Sequence, residues 1–571
     1  LPFLVSKYHT NALPYANSVK HLGTLVGSIL PADVYARFMR QSGEEILYVW
    51  GTDDHGTTSE IAAIEEGLPT DEFCDRNNKD HKKIYEAFDI SWDHYGRTHT
   101  EYQTRITQDI FTALDENGLI EEREMEQIYS IDDKRFLPDR YILGTCPNCD
   151  YEKARGDQCE DCTKMLDPTD LINPRSSISG STNVEIRKTR HLFLLQSKLA
   201  DKLRVWIESN NSWSKLSKSI ALKWLNEGLR DRCITRDISW GVPVNKPGFE
   251  HKVFYVWFDA PIGYISITAE WAEINGEDWK AWWLPSNPDE IEYTQFMGKD
   301  NVPFHSIMFP GTLLGTEQNW KFVDNIKGFN YLTYYGSKFS TSQNRGVFLD
   351  EAIEILPKDY WRWYLMANIP EGSDSDFTFP LFASCLNKDL SDVLGNLVNR
   401  ILTYSFKKAD GVISDINYEK ILHNDFFKES IDSFEALFSD YVENMNSVNF
   451  RKSTSALRSI WVEGNKFWEN AQVWQIAKLE DEESQQLVNQ IMAYGLSVVK
   501  FCGFISQPFL VDSSKLILNS FSNLPKAYKD FDSFSDFIKK FGVDGEFTVP
   551  GILFTKIEDV QVKEWEERFG S

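Results

Sequence analysis

Apolar and polar positions follow two regimes along the chain. In the first half, short apolar runs alternate with turn-rich loops and amphipathic stretches. Phe3 to Val5 leads into a loop holding Pro14, Asn17 and Gly23, and TLVGSILPADVYARFMR then carries helical periodicity. Strand, loop and helix in that order open a doubly wound sheet. Pro31 falls inside the helix and predicts a kink, because it removes a backbone donor at a cost of roughly 3 kcal/mol if uncompensated. EILYVWGTDDHGT predicts a second strand over Ile46 to Trp50, ending in an acidic turn at Asp53, Asp54 and His55. Further on, CITRDISWGVPV reads as a short strand followed by a loop holding Arg236 and Asp237, and HKVFYVWFDAPIGYISI and FMGKDNVPFHSIMFPGTLL read as apolar strands. From about residue 350 the period becomes helical: KDYWRWYLMANIP predicts a helix ended by Pro370 with Trp361 and Trp363 packed inward, and three long amphipathic repeats follow.

Length and composition extend this picture. With 571 residues and 42% hydrophobic content, the chain can build three or four structural units. No apolar run reads as a membrane span, and LPFLVSKYHT does not read as a signal peptide. Leu1 in place of Met suggests a chain numbered from inside a longer one. Four of the eight cysteines form CPNCDYEKARGDQCEDC, spaced C-x2-C-x9-C-x2-C at Cys146, Cys149, Cys159 and Cys162. Two such pairs suit one tetrahedral Zn²⁺ with no open position, hence a structural ion. Cys74, Cys233, Cys385 and Cys502 are scattered and read as small core residues in a reducing compartment. The net charge of −26 excludes broad nucleic-acid binding by a basic surface, though not a local basic face.

The chemistry concentrates at two distant stretches. In NALPYANSVKHLGT, His21 can donate hydrogen bonds to phosphate at the start of a helix, and Gly23 lets a flat base approach the backbone. HLGT resembles the HIGH motif of class I aminoacyl-tRNA synthetases, and KFSTS, within Gly336 to Ser342, resembles their KMSKS loop. The prefix ALPYAN narrows the resemblance to the methionyl-tRNA synthetase family, as do ARGDQC, LINPRSSISGS and RHLFL around the cysteine cluster. The resemblance covers essentially the whole chain.

It implies an α/β chain: a Rossmann-type doubly wound parallel-sheet catalytic domain, an inserted zinc-knuckle connective domain and a C-terminal α-helical anticodon-binding bundle. The expected boundaries are 1–118 and 233–325 for the catalytic halves and 119–232 for the insertion. A stem-contact region with the KMSKS-like loop takes 326–370, the helical bundle 371–529, and a tail packing on the body 530–571. The implied activity is methionine–tRNA ligation: methionine attacks the α-phosphorus of ATP, with Mg²⁺ on the phosphates, and passes from the adenylate to the end of tRNA(Met). Such an enzyme works by positioning and charge stabilisation, without a protein nucleophile.

By match of order and spacing, Asp53 holds the α-ammonium, and Leu13, Tyr15, Trp257, Ala260, Pro261, Tyr264 and His305 wall the methionine side chain. Aromatic walls suit a thioether. Asn17, His21, Gly23, Thr24, Gly298, Asp300, Lys338 and Thr341 fall at the ATP-binding positions, with His21, Lys338 and Arg236 in catalytic roles. Thr341 replaces the second lysine of KMSKS, and Arg345 stands nearby as a substitute cation. Asn396, Arg400 and Trp474 match the anticodon-reading positions, with Val473 where the family has proline. Without the resemblance, TDDHG would be a capped turn, Arg236 half of a surface salt bridge, and His305 a satisfied core histidine. A cytoplasmic monomer is expected; the rival readings are a sibling class I synthetase for Leu, Ile or Val, disfavoured because a large editing insertion is absent, and a catalytically weak paralogue that binds tRNA or a protein partner.

Overall fold

The structure is a computed structural model that describes residues 6–570 apart from 158, 163 and 342. Phe3 to Val5 and Ser342 therefore lie outside the described residues. The chain folds into two compact units: Leu1–Val19, Leu47–Lys83 and Trp92–Gly328 form the first, and Lys20–Ile46, Ile84–Ser91 and Phe329–Ser571 the second.

The first unit is built on a five-stranded sheet. Its strands in chain order are β1 (Ser6–Asn11), β2 (Ile46–Thr52), β3 (His94–Arg97), β4 (Ile291–Gly298) and β5 (Asn325–Phe329), and in space they run β5-β4-β1-β2-β3. β1 pairs with β4 and β2 with β3, both in parallel. This is the doubly wound order, with its switch point between β1 and β4, where the carboxyl ends of the strands leave a crevice for ligands. The near-continuous burial of β2 and β4 follows from cover on both faces. Tyr8 of β1 anchors the core: its ring packs on Trp283 and Tyr293, and its hydroxyl bonds Thr268 Oγ1 at 2.8 Å.

The apolar stretch from Val256 to Ile267 is helical, not a strand. Val256–Asp259 forms one helical turn, Ala260–Ile262 a tighter one, and Gly263–Asn275 a full helix. Pro261 decides this, because its fixed φ starts a helix readily and cannot serve a central strand. His305 likewise sits on a wide-turned helical segment, Phe304–Met308, ahead of Pro310. The insertion in this unit is a long antiparallel hairpin, Ile120–Ser130 against Val184–Leu194, with a smaller sheet of Ile142–Thr145, Ala154–Arg155 and Ile172–Ser176.

The second unit starts with the helix Leu22–Ser42, in which Leu25–Ile29 is π-wound. The Leu30 N–H bonds Leu25 O, one residue further back than in an α-helix. The wider turn comes immediately before Pro31, which then occupies the first turn of a fresh α-helical segment. The helix changes its winding at the proline, which explains how Pro31 is accommodated. Trp361 and Trp363 are buried in the helix Lys358–Ala367, as the pattern predicts. The bundle comprises Asn396–Ala409, Asp425–Asn446, Phe450–Ala471 and Glu482–Ile505. The last of these is long and apolar enough to cross a membrane, but nearly all of its apolar stretch is buried among its neighbours, so it is the bundle's core helix.

Candidate functional site

The acidic turn after β2 is zipped to the loop after β1. Asp53 N–H donates to Pro14 O and Ala16 N–H to Asp53 O, each at 2.9 Å, so Tyr15 and Asp53 lie side by side. The Trp257 indole lies beside the Tyr15 hydroxyl. Below them Tyr264 is buried, with its oxygen 2.8 Å from His305 Nε2, and Leu13 reaches the adjoining turn, where a Cβ on Gly263 would meet its Cδ1 at 3.0 Å. His305 Nδ1 lies 2.8 Å from Asn301 O, which fixes the proton on Nδ1 and leaves Nε2 to accept from Tyr264. Burial pulls the His305 pKa down to about 4, so the ring is neutral. Phe304 packs edge-on against Trp257 at 4.9 Å. Leu13, Tyr15, Trp257 and Ala260 remain partly exposed around this floor, whereas Asp53, Pro261, Tyr264 and His305 are buried. The structure thus brings Leu13, Tyr15, Asp53, Trp257, Tyr264 and His305 together, with Ala260 and Pro261 on the tight turn between Trp257 and Tyr264.

Asp53 has unusual company. Burial, then Asp259, then Asp54 push its pKa well above the ordinary carboxylate value. Asp54 is paired with Arg97 and takes Thr52 Oγ1 at 2.7 Å. Asp259 Oδ2 lies 2.6 Å from His55 Nδ1, and His55 Nε2 lies 3.0 Å from His99 Nδ1. His99 is stacked on Trp240 at 4.2 Å. Asp259 and His99 were not among the residues singled out by motif. The only signal for Asp259 is that it directly precedes Ala260 and Pro261.

Gly298 ends β4, where a Cβ would meet Asp300 Oδ1 at 2.6 Å, and Asp300 is exposed. Asn17 lies on the loop after β1 and accepts from Ser18 Oγ at 3.4 Å. Arg236 is held by Asp139, with its Nε 2.8 Å from Oδ2, and lies over the Tyr255 ring at 3.6 Å. The salt bridge expected as its plain alternative is therefore present, but buried.

In the second unit, His21 caps the helix: its Nδ1 accepts from Thr24 N at 3.3 Å. Burial and the neighbouring Lys20 lower its pKa to about 4. A neutral ring whose Nδ1 accepts must carry its proton on Nε2, leaving an N–H donor at the helix start. Gly23 keeps this ring in place, since a Cβ there would sit 3.1 Å from it. Phe339 of KFSTS stacks on the same ring at 4.8 Å and 20°. Gly346 admits Phe339: its φ is +115°, and a Cβ would meet the Phe339 ring at 2.2 Å. Two motifs more than three hundred positions apart are thereby joined. Lys338 and Thr341 are exposed on this loop. Arg345, the proposed substitute cation, turns back to Tyr334, donating to its carbonyl at 3.0 Å and lying over its ring.

The four cysteines converge. Their sulfurs lie within 4.8 Å of one another, with Cys146–Cys162 at 3.9 Å and Cys149–Cys159 at 3.6 Å. A tetrahedron with Zn–S bonds of about 2.3 Å has edges of roughly 3.8 Å, so the donor set fits one Zn²⁺. In the bundle, Asn396 bonds Asn465 and Arg400 pairs with Glu469, each across to the helix Phe450–Ala471. Trp474 stands half-exposed on the short helix Val473–Ile476, just after the left-handed Gln472.

A doubly wound sheet, a histidine-capped helix joined to a KFSTS loop, and a thiolate cluster in an insertion define a class I aminoacyl-tRNA synthetase. The family model for class I tRNA synthetases (M) matches residues 7–402, and that for the anticodon-binding domain of methionyl tRNA ligase matches residues 425–571. The chain is 49% identical over 569 residues to the methionine–tRNA ligase of Caulobacter vibrioides, covering 98% of each chain. It is 49% identical over 573 residues to that of Streptomyces avermitilis, again covering 98% of each. Its fold is similar to Mycobacterium tuberculosis methionyl-tRNA synthetase bound by methionyl-adenylate, with a TM-score of 0.77 at 22% identity over 96% of this chain and 100% of that one. The chain belongs to the methionine–tRNA ligase family.

Proposed function

We propose that this chain activates L-methionine with ATP and transfers it to the 3′ end of tRNA(Met). The observation that carries this reading is the cluster of Leu13, Tyr15, Trp257, Tyr264 and His305 around Asp53, in a chain 49% identical to named methionine–tRNA ligases along nearly its full length. In this reading Asp53 receives the α-ammonium through a charge-assisted hydrogen bond. The aromatic rings receive the thioether side chain. The His21 Nε2–H and the Lys338 ammonium stabilise charge on the phosphates during attack on the α-phosphorus. Gly298 and Asp300 take the adenosine, and Asn17, Gly23, Thr24 and Thr341 complete the nucleotide contacts. Arg236, fixed by Asp139, orients groups near the carboxylate. Mg²⁺ enters with ATP and neutralises its phosphates.

Zn²⁺ on Cys146, Cys149, Cys159 and Cys162 stiffens the insertion. Asn396, Arg400 and Trp474 read the anticodon, Trp474 by stacking on a base. We take the division into catalytic halves, insertion, stem contact, bundle and tail at the boundaries expected from sequence as a functional one, distinct from the two compact units, of which the second includes Lys20–Ile46 and Ile84–Ser91. We take the enzyme to act as a monomer in the cytoplasm, in keeping with a cysteine pattern of one four-thiolate cluster and four scattered residues.

The test is methionine-dependent ATP–pyrophosphate exchange by the zinc-loaded chain. Exchange with methionine alone supports the reading. Exchange with another amino acid overturns the pocket assignment, and none with any amino acid favours a tRNA-binding paralogue in which Thr341 has cost the chain its chemistry.

A further inference from the structure

Three carboxylates, Asp53, Asp54 and Asp259, are buried together in the first unit, and their partners are unequal. The Asp54 carboxylate takes the Arg97 guanidinium and the Thr52 hydroxyl, while its own backbone N–H donates to Thr98 Oγ1 at 2.9 Å. Asp259 is fully buried, and its Oδ2 is held by His55 at 2.6 Å. Its Oδ1, also shielded from solvent, has no hydrogen-bond partner among the described residues. Asp53 takes a single long bond, from the His55 backbone N–H at 3.3 Å.

Two neighbouring buried carboxylates with acceptor capacity to spare are costly unless a cation arrives. An amino acid's α-ammonium brings one positive charge, which two neighbouring carboxylates stabilise better than one does.

Resting on the reading of Asp53 as the ammonium's contact, we propose that Asp259, clamped by His55, is a positioning residue for the α-ammonium. Asp259 Oδ1 is shielded from solvent, and His55 links the two carboxylates, its backbone N–H donating to Asp53 and its ring bonding Asp259, so Asp259 acts through its charge beside Asp53. It deepens the negative potential at the ammonium without touching the ligand, and His55, backed by His99 and Trp240, holds it there. Burial first, and Asp259 second, raise the proton affinity of Asp53, in line with this placement.

The experiment is calorimetric titration of the zinc-loaded full chain with methionine and with 4-(methylthio)butanoate, which keeps the thioether and carboxylate but lacks the amino group. Asp259→Asn preserves an acceptor for His55 and removes the charge. It should weaken methionine binding about tenfold and leave the desamino ligand within about twofold. Equal weakening of both ligands would mean a structural role and overturn the proposal, as would unchanged methionine binding. Should Asp259→Asn fail to fold, His55→Asn carries the test: it keeps the charge but loosens it. A loss of about threefold for methionine alone supports the assignment, and parallel losses overturn it. Wild-type protein that binds no methionine would instead defeat the function proposed above.

Discussion

At the scale of single residues, burial decides what each polar group can do. His305 has its pKa lowered from 6.5 to about 4 by burial, so between those values the unfolded chain binds a proton that the folded chain refuses. Folding therefore loses stability as pH falls through that window, by up to roughly 3 kcal/mol from this group. His305→Asn should cost stability at pH 7 by breaking the Tyr264 and Asn301 bonds. The gap in thermal midpoint between variant and wild type should then narrow towards pH 5; a constant gap would contradict the assignment. Arg362 shows the opposite case, a buried charge with every need met. It is fully buried, donates to Phe88 O, Pro508 O and Phe509 O at 2.7 to 3.1 Å, and lies 2.6 Å from Asp33. Arg362→Met strands those carbonyls and weakens the pairing of Asp33. It should destabilise the second unit by about 3–5 kcal/mol, measured as a fall in its unfolding midpoint in urea.

At the scale of elements, local breaks from regular structure sit where chemistry is expected. The helix carrying Gly23 and the one carrying His305 both contain a π-wound stretch, and in both a proline stands two residues after its end. Each proline lacks a donor, and the wider turn ahead of it removes the demand for one. The C-terminal helix Asp559–Phe569 supports the loop that carries Lys338. Trp565 packs on Phe379 at 5.6 Å, and Glu566 accepts from the Tyr335 hydroxyl at 2.6 Å, three residues before Lys338. Trp565→Ala should cost about 3–5 kcal/mol of local stability. It should also speed hydrogen exchange over residues 334–341, and a change confined to the C-terminal helix would show that the loop stands without it.

At the scale of the molecule, the charge of −26 has to coexist with a polyanionic partner. Arg400, one of the expected anticodon-contacting residues, is already paired with Glu469, so RNA binding there must displace a carboxylate. Stacking on Trp474 does not carry that cost. Trp474→Ala should weaken tRNA binding by about 1–3 kcal/mol while leaving methionine-dependent pyrophosphate exchange unchanged. Loss of both activities together would show that the bundle also governs the first half-reaction. The salt dependence of tRNA binding should be shallow, because few phosphates can be neutralised by so acidic a surface.

The sequence by itself determined the elements whose physics is local. Cysteine spacing specified a four-thiolate site, alternating apolar runs specified an α/β first half, helical period specified the bundle, and the paired motifs specified the family. Proline and context overrode the pattern at Val256–Ile267 and around His305, where apolar runs suited to a strand became helix because a run that short has no decisive period of its own. Other relations needed the folded chain, because they join residues far apart in sequence. Phe339 stacks on His21 through space opened by Gly346, Arg345 turns to Tyr334, and Asp259 meets His55 across about two hundred positions. No local pattern records which buried carboxylate keeps a partner and which is left waiting for one, since that balance is set only when distant segments exclude water together.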